Sequence, residues 1–197
     1  MYDKDYYESN NYTNYLAREA RYERLANEIL GFLNVMGLAK SPVLDFGCAV
    51  GFLLRAFKKQ HLDCYGVDVS EWALEQAHKR GLHVSREVLW EEQHALTTAL
   101  DVLEHMSEED LTHFIENLNT KVIVFRMPIC ANEGEDYVLQ VSRVDPTHNI
   151  RWTKQQWEEF FNKHGYVTVD LNLNTIYNSD GVYAGIAFKY VSSKDDI

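Results

Sequence analysis

The segment from residue 42 to residue 51 constrains the fold more than any other part of this 197-residue chain. A short apolar run, Val43-Leu44-Asp45-Phe46, ends at Gly47, and a helical pattern over residues 52–60 follows Gly51. This order predicts a buried strand, a tight glycine turn and a helix. Because open α/β sheets bind ligands at the carboxyl ends of their strands, the turn is the first candidate for a binding site.

The residues of this turn indicate the charge of the expected ligand. In a pyrophosphate-binding turn of the G-x-G-x-x-G type, the second glycine lets a phosphate approach the amino terminus of the helix. Here that position is Ala49, and Asp45 adds a negative charge at the end of the strand. Both features disfavour a dinucleotide and favour a ligand with a cationic end. A glycine turn without any ligand remains the alternative.

A second strand over residues 63–68 is followed by a helix over 71–80, with Ser70 and Gly81 as its start and stop signals. This strand–helix–strand–helix order predicts a parallel sheet. Asp68 lies at the end of the second strand, about 20 residues after the glycine turn, where an acid can accept hydrogen bonds from ribose hydroxyls. We therefore expect an adenosine-containing cofactor; the alternative is that Asp68 only caps the next helix.

The rest of the chain extends this pattern to about seven strands. The further strands are predicted at 82–84, 95–100, 121–126, 166–173 and 181–190, and the further helices at 15–38, 107–118 and 153–164. The turn over residues 178–181 predicts that the last two strands form an antiparallel hairpin. The length is typical of one domain, so we predict a single domain over residues 1–197. It would include an amino-terminal arm and helix (1–38) and a substrate-side insert (126–152).

The composition limits which kinds of partner the protein is expected to bind. The net charge of -11 and the pI near 5.1 make a nucleic-acid partner unexpected, because an acidic surface repels phosphates. Three cysteines at positions 48, 64 and 130 lack the paired spacing of a zinc site, so no metal site is expected and a reducing compartment is favoured. The polar amino terminus and the absence of a long apolar run favour a cytoplasmic protein without a membrane partner.

Three motifs together resemble those of class I S-adenosylmethionine-dependent methyltransferases: Val-Leu-Asp-Phe-Gly-Cys at 43–48, Gly-Val-Asp-Val-Ser at 66–70 and Leu-Asp-Val-Leu-Glu-His at 100–105. The strand pattern extends the resemblance to residue 190. It implies a Rossmann-like, doubly wound α/β sheet of seven strands in the order 3-2-1-4-5-7-6, with strand 7 antiparallel. It also implies S-adenosyl-L-methionine as the cofactor. The implied cofactor-binding residues are Asp45, Gly47, Cys48, Gly51, Asp68, Val69, Leu89, Trp90, Asp101 and Tyr15.

The resemblance assigns roles to these residues. Asp45 and the two glycines match positions around the methionine moiety, Asp68 matches the ribose-binding acid, and Val69 would pack on the adenine. Asp101 would lie beside the methionine end and the substrate cleft. Leu89 and Trp90 are expected at the adenine or, alternatively, in the core. Tyr12, Tyr15 and Arg18 resemble a lid over the cofactor; the alternative is that this aromatic stretch only covers an edge of the sheet. The position of Ala49 often holds glycine in the family.

Three groups are the candidates for catalysis: His105, His148 and the amino-terminal tyrosines. His105 ends the third motif, and His148 lies in the segment Asp-Pro-Thr-His-Asn before the helix at 153–164. An imidazole with a pKa near 6.5 can accept a proton from a methyl acceptor at neutral pH. Each histidine could instead have a structural role, as a loop residue bonded to backbone. Arg126 and Arg143 could bind an anionic substrate or form surface ion pairs.

The sequence therefore predicts a methyltransferase that acts on a small molecule by in-line transfer, since the chain holds the core fold, a lid and one insert. A nicotinamide-dependent oxidoreductase on a related sheet is the first alternative, disfavoured by Ala49 and by the closing hairpin. A binding module that takes S-adenosylmethionine without turnover is the second. The acceptor atom and the oligomeric state stay open.

Overall fold

The computed structural model describes residues 2–8 and 15–190, and it contains a seven-stranded sheet in the order β3-β2-β1-β4-β5-β7-β6. The strands are β1 (Val43–Phe46), β2 (Cys64–Val67), β3 (Val84–Ser85), β4 (Leu96–Leu100), β5 (Val122–Pro128), β6 (Tyr166–Asp170) and β7 (Val182–Lys189). The helices are α1 (Lys4–Glu8), α2 (Glu19–Val35), α3 (Phe52–Lys59), α4 (Glu71–Lys79), α5 (Glu108–Asn117), α6 (Gln140–Arg143) and α7 (Lys154–Lys163). This confirms the predicted α/β fold and strand order.

Strand pairing follows the predicted directions. β1 pairs in parallel with β2, and β2 with β3, whereas β7 pairs antiparallel with both β5 and β6. The predicted cap at Ser70 is present, and Ser107 and Thr153 have the same role: each hydroxyl accepts a hydrogen bond from a backbone N–H in the first turn of α4, α5 and α7, respectively. These caps satisfy donors that a helix leaves unpaired, which fixes where each helix begins.

Most element boundaries differ from the prediction by a few residues, and two of these differences have a local cause. β6 ends at Asp170 rather than at 173. The N–H of Leu171 still donates to the carbonyl of Ala184 on β7, but the N–H of Ala184 donates to the side chain of Asn178 and not to a backbone carbonyl of β6. The predicted helix over 15–38 is divided into a short 3₁₀ turn at Tyr15–Ala17 and α2. α2 then stops before Gly37, whose φ of 66° lies in the left-handed region that favours glycine.

The chain comprises two compact units, Met1–Thr98 with Leu173–Thr175, and Ala99–Asn172 with Ile176–Ile197. In the first unit, α2 packs on α3, and Leu54, Ala77 and Leu82 form a buried cluster with Cys48. In the second, α7 packs on β6, and the ring of Phe125 stacks on Phe161 with centroids 4.8 Å apart. The single domain over residues 1–197 stays a prediction. Within the described ranges, no helix is long and apolar enough to cross a membrane.

Candidate active site

The glycine turn after β1 is held against the end of β2. The N–H groups of Gly47 and Cys48 both donate to the carbonyl of Val67, at 2.8 and 3.0 Å. The next N–H, from Ala49, donates to the carboxylate of Asp68 at 2.8 Å. Gly47 has a φ of 74°, and Ala49, unusually for a residue with a Cβ, has a φ of 48°. The turn thus brings the ends of the first two motifs together.

Asp45 lies inside this part of the fold, with an exposed fraction of 4%. One carboxylate oxygen, Oδ1, accepts a hydrogen bond of 2.7 Å from the hydroxyl of Thr98. The other, Oδ2, has no hydrogen-bond partner among residues 2–8 and 15–190. Burial raises the pKa of Asp45 to about 7, with a further contribution from the charge of Asp68, while the Thr98 hydrogen bond opposes the rise. A buried carboxylate that keeps one unpaired oxygen is suited to a cationic ligand.

Asp68 is nine-tenths buried at the end of β2. Its Oδ2 accepts from the N–H of Ala49, and its Oδ1 accepts from the N–H of Ser70, both at 2.8 Å. Burial raises the pKa of Asp68, and these two hydrogen bonds oppose the rise. Each oxygen keeps a second lone pair, so the fixed carboxylate can still accept from a pair of vicinal hydroxyls. Its helix-capping alternative fails, because Ser70 provides the cap of α4.

The amino-terminal segment packs over the same region. The Ser70 hydroxyl donates to the carbonyl of Tyr2, and the buried ring of Tyr7 stacks on Trp72 with centroids 5.3 Å apart. Burial, and then the charge of Asp68, raise the pKa of the Tyr7 hydroxyl. Tyr15 packs against Phe52 with centroids 5.6 Å apart. The predicted lid residue Tyr12 lies outside the described residues.

The other predicted cofactor residues of this unit have different surroundings. Cys48 is buried in the core cluster, and a Cβ at Gly66 would approach its sulfur to 2.8 Å. Gly51 has a φ of 81°, and an added Cβ would lie 2.3 Å from Leu82; the fold therefore requires glycine there. Val69 and Leu89, by contrast, expose 58% and 41% of their surface. Trp90 is half-buried.

Asp101 follows β4 with a φ of 53°, a left-handed conformation that is rare for aspartate. Its N–H donates to the carbonyl of Arg126 at 2.7 Å, and its carboxylate pairs with the Arg126 guanidinium. Arg143 donates to the backbone carbonyls of Tyr137 and Val138. Each predicted anion-binding arginine thus already has an intramolecular partner.

The two candidate catalytic histidines lie together. The rings of His105 and His148 are 4.5 Å apart, and the Nε2 atom of each lies 3.9 Å from Oε1 of Glu104. Glu104 is 1% exposed, and its Oε2 has no hydrogen-bond partner in the part of the chain that the structure describes. The backbone fixes this arrangement, because the carbonyl of Glu104 accepts from the N–H groups of Asn149 and Ile150.

The partners of the other ring nitrogens determine both tautomers. Thr147 donates its hydroxyl hydrogen to Asp145 at 2.6 Å, so its oxygen accepts from Nδ1–H of His105 at 2.8 Å. Nδ1 of His148 lies 3.0 Å from the carbonyl of Ser142, which can only accept. Both Nε2 atoms therefore carry lone pairs that face Glu104 when the rings are neutral.

Burial favours that neutral state of both rings. It lowers the pKa of His105 to about 4 and lowers that of His148. The same burial, with the charge of Asp101, raises the pKa of Glu104 well above its usual range.

Sequence reasoning missed Glu104 and Thr98 as parts of these sites. Glu104 directly precedes His105 in the third motif, and Asp145 lies three residues before His148 in the segment Asp-Pro-Thr-His. These two acid–histidine pairs are the sequence signal from which the cluster could have been predicted. Thr98 is a polar residue in β4, and its hydroxyl donates a hydrogen bond to the carboxylate of Asp45.

The comparisons with known proteins agree with the fold. The family described as "Methyltransferase domain" matches residues 16–173. The comparison with curated proteins found no significant match.

Three solved structures resemble the chain. A methyltransferase from Archaeoglobus fulgidus that depends on S-adenosylmethionine is 18% identical, with a TM-score of 0.62, and the match covers 90% of this chain and 100% of that one. Magnesium protoporphyrin IX methyltransferase from Synechocystis PCC 6803 is 16% identical, with a TM-score of 0.61 and coverage of 87% and 84%. The small RNA methyltransferase HEN1 is 20% identical, with a TM-score of 0.60 and coverage of 85% and 25%.

At these identities the solved structures show a common fold, and the family match covers most of the chain. The match favours methyltransferase activity over both the nicotinamide-dependent oxidoreductase and the binding-only module. The chain belongs to the methyltransferase-domain family and is an S-adenosylmethionine-dependent methyltransferase of class I.

Proposed function

We propose that the chain binds S-adenosylmethionine around the glycine turn after β1 and transfers its methyl group to a small molecule. One observation carries the proposal: Asp45 keeps a buried carboxylate oxygen without a hydrogen-bond partner in the described part of the chain. The ammonium group of the methionine moiety would supply the missing donor, directly or through water. A charged donor suits this oxygen because an unpaired buried acceptor costs about 1–3 kcal/mol.

Most of the remaining cofactor contacts follow from the same unit. Asp68 would accept from the ribose hydroxyls, since two backbone N–H groups already fix its orientation. Val69, exposed beside it, would pack on the adenine, with Leu89 and Trp90 on the following loop. Cys48 would contribute through its backbone only, because its side chain is buried in the core. Gly47, Gly51, Tyr15 and Asp101 complete the proposed set.

For the acceptor, we propose His148 and His105 as the catalytic residues. Their Nε2 lone pairs are held in fixed directions by the hydrogen bonds of Nδ1. Such a lone pair can take a proton or bind a cation. Methyl transfer itself is an in-line displacement at carbon, so the chain contributes mainly by positioning and by exclusion of water.

The small-molecule acceptor rests on charge. A net charge of -11 repels the phosphates of a nucleic acid, whereas it does not oppose a small neutral or cationic acceptor. Solved structures with the same fold include methyltransferases for a porphyrin and for small RNA, so the fold accommodates both classes. We keep the cytoplasmic location as a prediction.

Titration with S-adenosylmethionine tests the cofactor site. Asp68→Ala should weaken binding about tenfold to a hundredfold, because loss of hydrogen bonding to a charged acceptor costs about 1.5–3 kcal/mol. Asp63→Ala is the matched control: it removes an exposed acid that precedes the same strand, so binding should not change. Unchanged binding by Asp68→Ala would contradict the site.

Incubation with methyl-labelled cofactor tests the acceptor. A cell extract is divided by filtration into a small-molecule fraction and a macromolecular fraction, and each is treated with the enzyme. We expect label in the small-molecule fraction. Label that stays with macromolecules and disappears after ribonuclease treatment would instead identify RNA as the acceptor and refute this part of the proposal.

A further inference from the structure

Three side chains that can donate electron pairs to a cation converge in the Ala99–Asn172 part of the chain. Nε2 of His105, Nε2 of His148 and a carboxylate oxygen of Glu104 all lie within 4.8 Å of one another. The two nitrogens present lone pairs, because Nδ1 of each ring is committed to donating, to Thr147 and to Ser142. Two nitrogen lone pairs that face a carboxylate are repelled by it unless a cation or a proton lies between them.

We propose that His105, His148 and Glu104 bind a divalent transition-metal cation. Glu104 is 1% exposed, and its Oε2 lacks a hydrogen-bond partner in the described segments of the chain. Buried side-chain oxygens are nearly always hydrogen-bonded, so an unpaired one next to two imidazole lone pairs points to a missing ligand. A cation would satisfy all three groups at once.

The spacing agrees with a site that needs a small contraction. Ligands about 2.1 Å from a tetrahedral metal lie about 3.4 Å from one another. Oε1 of Glu104 lies 3.9 Å from each Nε2 atom, and the three ligand atoms lie within 4.8 Å of one another, so side-chain movements of roughly 0.5–1.5 Å complete the geometry. Side-chain rotation supplies such a shift without displacing the backbone, which hydrogen bonds between Glu104 and residues 149–150 hold in place.

The surrounding hydrogen bonds have the form found around metal-binding histidines, where the second ring nitrogen donates to a carbonyl or a carboxylate. Nδ1 of His148 donates directly to the carbonyl of Ser142. Nδ1 of His105 donates to the Thr147 hydroxyl, and that hydroxyl in turn donates to the carboxylate of Asp145. These bonds orient each ring before any cation arrives, which lowers the entropic cost of binding.

The ligand set selects the class of metal. Two imidazoles and one carboxylate suit Zn²⁺, Fe²⁺, Co²⁺ or Mn²⁺, whereas Mg²⁺ and Ca²⁺ prefer oxygen ligands alone. Three protein ligands leave at least one coordination position for water or for an oxygen of another ligand. This inference deepens the proposed function of the two histidines, since a bound cation would take the lone pairs that could otherwise take a proton. Cation binding itself can be measured without methyl transfer.

The test begins with full-length protein freed of metal by a chelator and titrated calorimetrically with Zn²⁺, Co²⁺, Mn²⁺ and Mg²⁺ in turn. We expect one equivalent of Zn²⁺ or Co²⁺ to bind at least tenfold more tightly than Mg²⁺. The visible absorption of Co²⁺ should report nitrogen ligation. If none of these cations binds stoichiometrically, the proposal is wrong, and the carboxyl of Glu104 is held neutral instead. Titration of the same sample with S-adenosylmethionine separates this failure from a failure of the cofactor site.

Variants locate the cation. Glu104→Gln should fold in the presence of chelator at least as stably as the parent, because its amide can donate to an imidazole lone pair, yet it should lose at least tenfold in cation affinity. Thr147→Val should weaken binding about tenfold through the loss of ring orientation. His78→Asn removes an exposed histidine on α4 and should change nothing. If Glu104→Gln folds and keeps the parent affinity, or if His78→Asn loses it, the proposed site is wrong.

Discussion

The carboxylate of Asp45 should make the stability of the cofactor-free protein fall as the pH rises. Burial raises its pKa from 3.8 to about 7, so between these values the folded protein keeps a proton that the unfolded chain has lost. The state that binds more protons gains stability as the pH falls. Stability from this group is therefore complete below pH 4 and is lost as the pH rises through 7.

The size of the effect follows from the shift. A difference of one pKa unit corresponds to about 1.4 kcal/mol, so Asp45 should cost the folded state about 3 kcal/mol between pH 4.5 and pH 8. Asp45 is 4% exposed, which leaves little solvent to screen this cost. In Asp45→Asn the group does not titrate, while Oδ1 can still accept from Thr98. The free energy of unfolding of the variant, relative to the parent, should increase by about 3 kcal/mol over this pH range.

Chemical denaturation at pH 4.5, 6 and 8 measures this difference, with Asp63→Asn as the control for the loss of one exposed negative charge. S-adenosylmethionine supplies a second readout. Since an ammonium group favours the carboxylate, binding at pH 6 should release close to one proton from Asp45, and binding at pH 8 should release almost none. Calorimetry in buffers of different ionisation enthalpy counts these protons. A difference between Asp45→Asn and the parent that does not change with pH, or equal proton release at pH 6 and 8, would refute this reasoning.

Three further substitutions test the same region by chemical denaturation of the cofactor-free protein. Ala49→Gly should stabilise it by up to about 1 kcal/mol, because φ is 48° there; a loss of stability would mean that the methyl group contributes packing. Gly51→Ala should destabilise it by more than about 2 kcal/mol, since the new Cβ would meet Leu82 at 2.3 Å, and a near-neutral result would contradict the close packing of the Leu82 side chain on the backbone of residue 51. Thr98→Val should cost about 1–3 kcal/mol at pH 8, because it leaves both oxygens of Asp45 unpaired; no loss would show that water replaces the hydroxyl.

Local patterns were sufficient to predict the first half of the sheet. The apolar run before Gly47 and the caps at Ser70 and Gly81 each act within a few residues, so their physical cause is visible in the sequence itself. The order of all seven strands came from the family resemblance, and the structure confirms it. The conformation of Ala49 could not be predicted, because alanine ordinarily avoids positive φ and only the hydrogen bond from its N–H to Asp68 reveals why it is retained.

Sites formed by segments that are far apart in the sequence were harder to predict. Nothing in the local sequence around His105 or His148 indicates that residues 104–105 contact residues 145–148, about 40 positions later. The docking of Tyr7 on Trp72 is similarly a contact between segments far apart in sequence. The sequence therefore provided candidate site residues, whereas the partners that set their protonation could be identified only from the fold.

Two buried carboxylates give the chain a common physical property. Asp45 and Glu104 each keep one oxygen without a hydrogen-bond partner in the residues described, and burial raises the pKa of both. Each arrangement costs the folded protein stability, since an unpaired buried acceptor loses water and gains nothing in return. Replacement of either acid by its amide would remove the cost of burying a negative charge, so stability alone does not explain why both are acids. The two proposed ligands, an ammonium group at Asp45 and a metal ion at Glu104, would explain it, because the energy that destabilises the free protein would become binding energy when a cation binds.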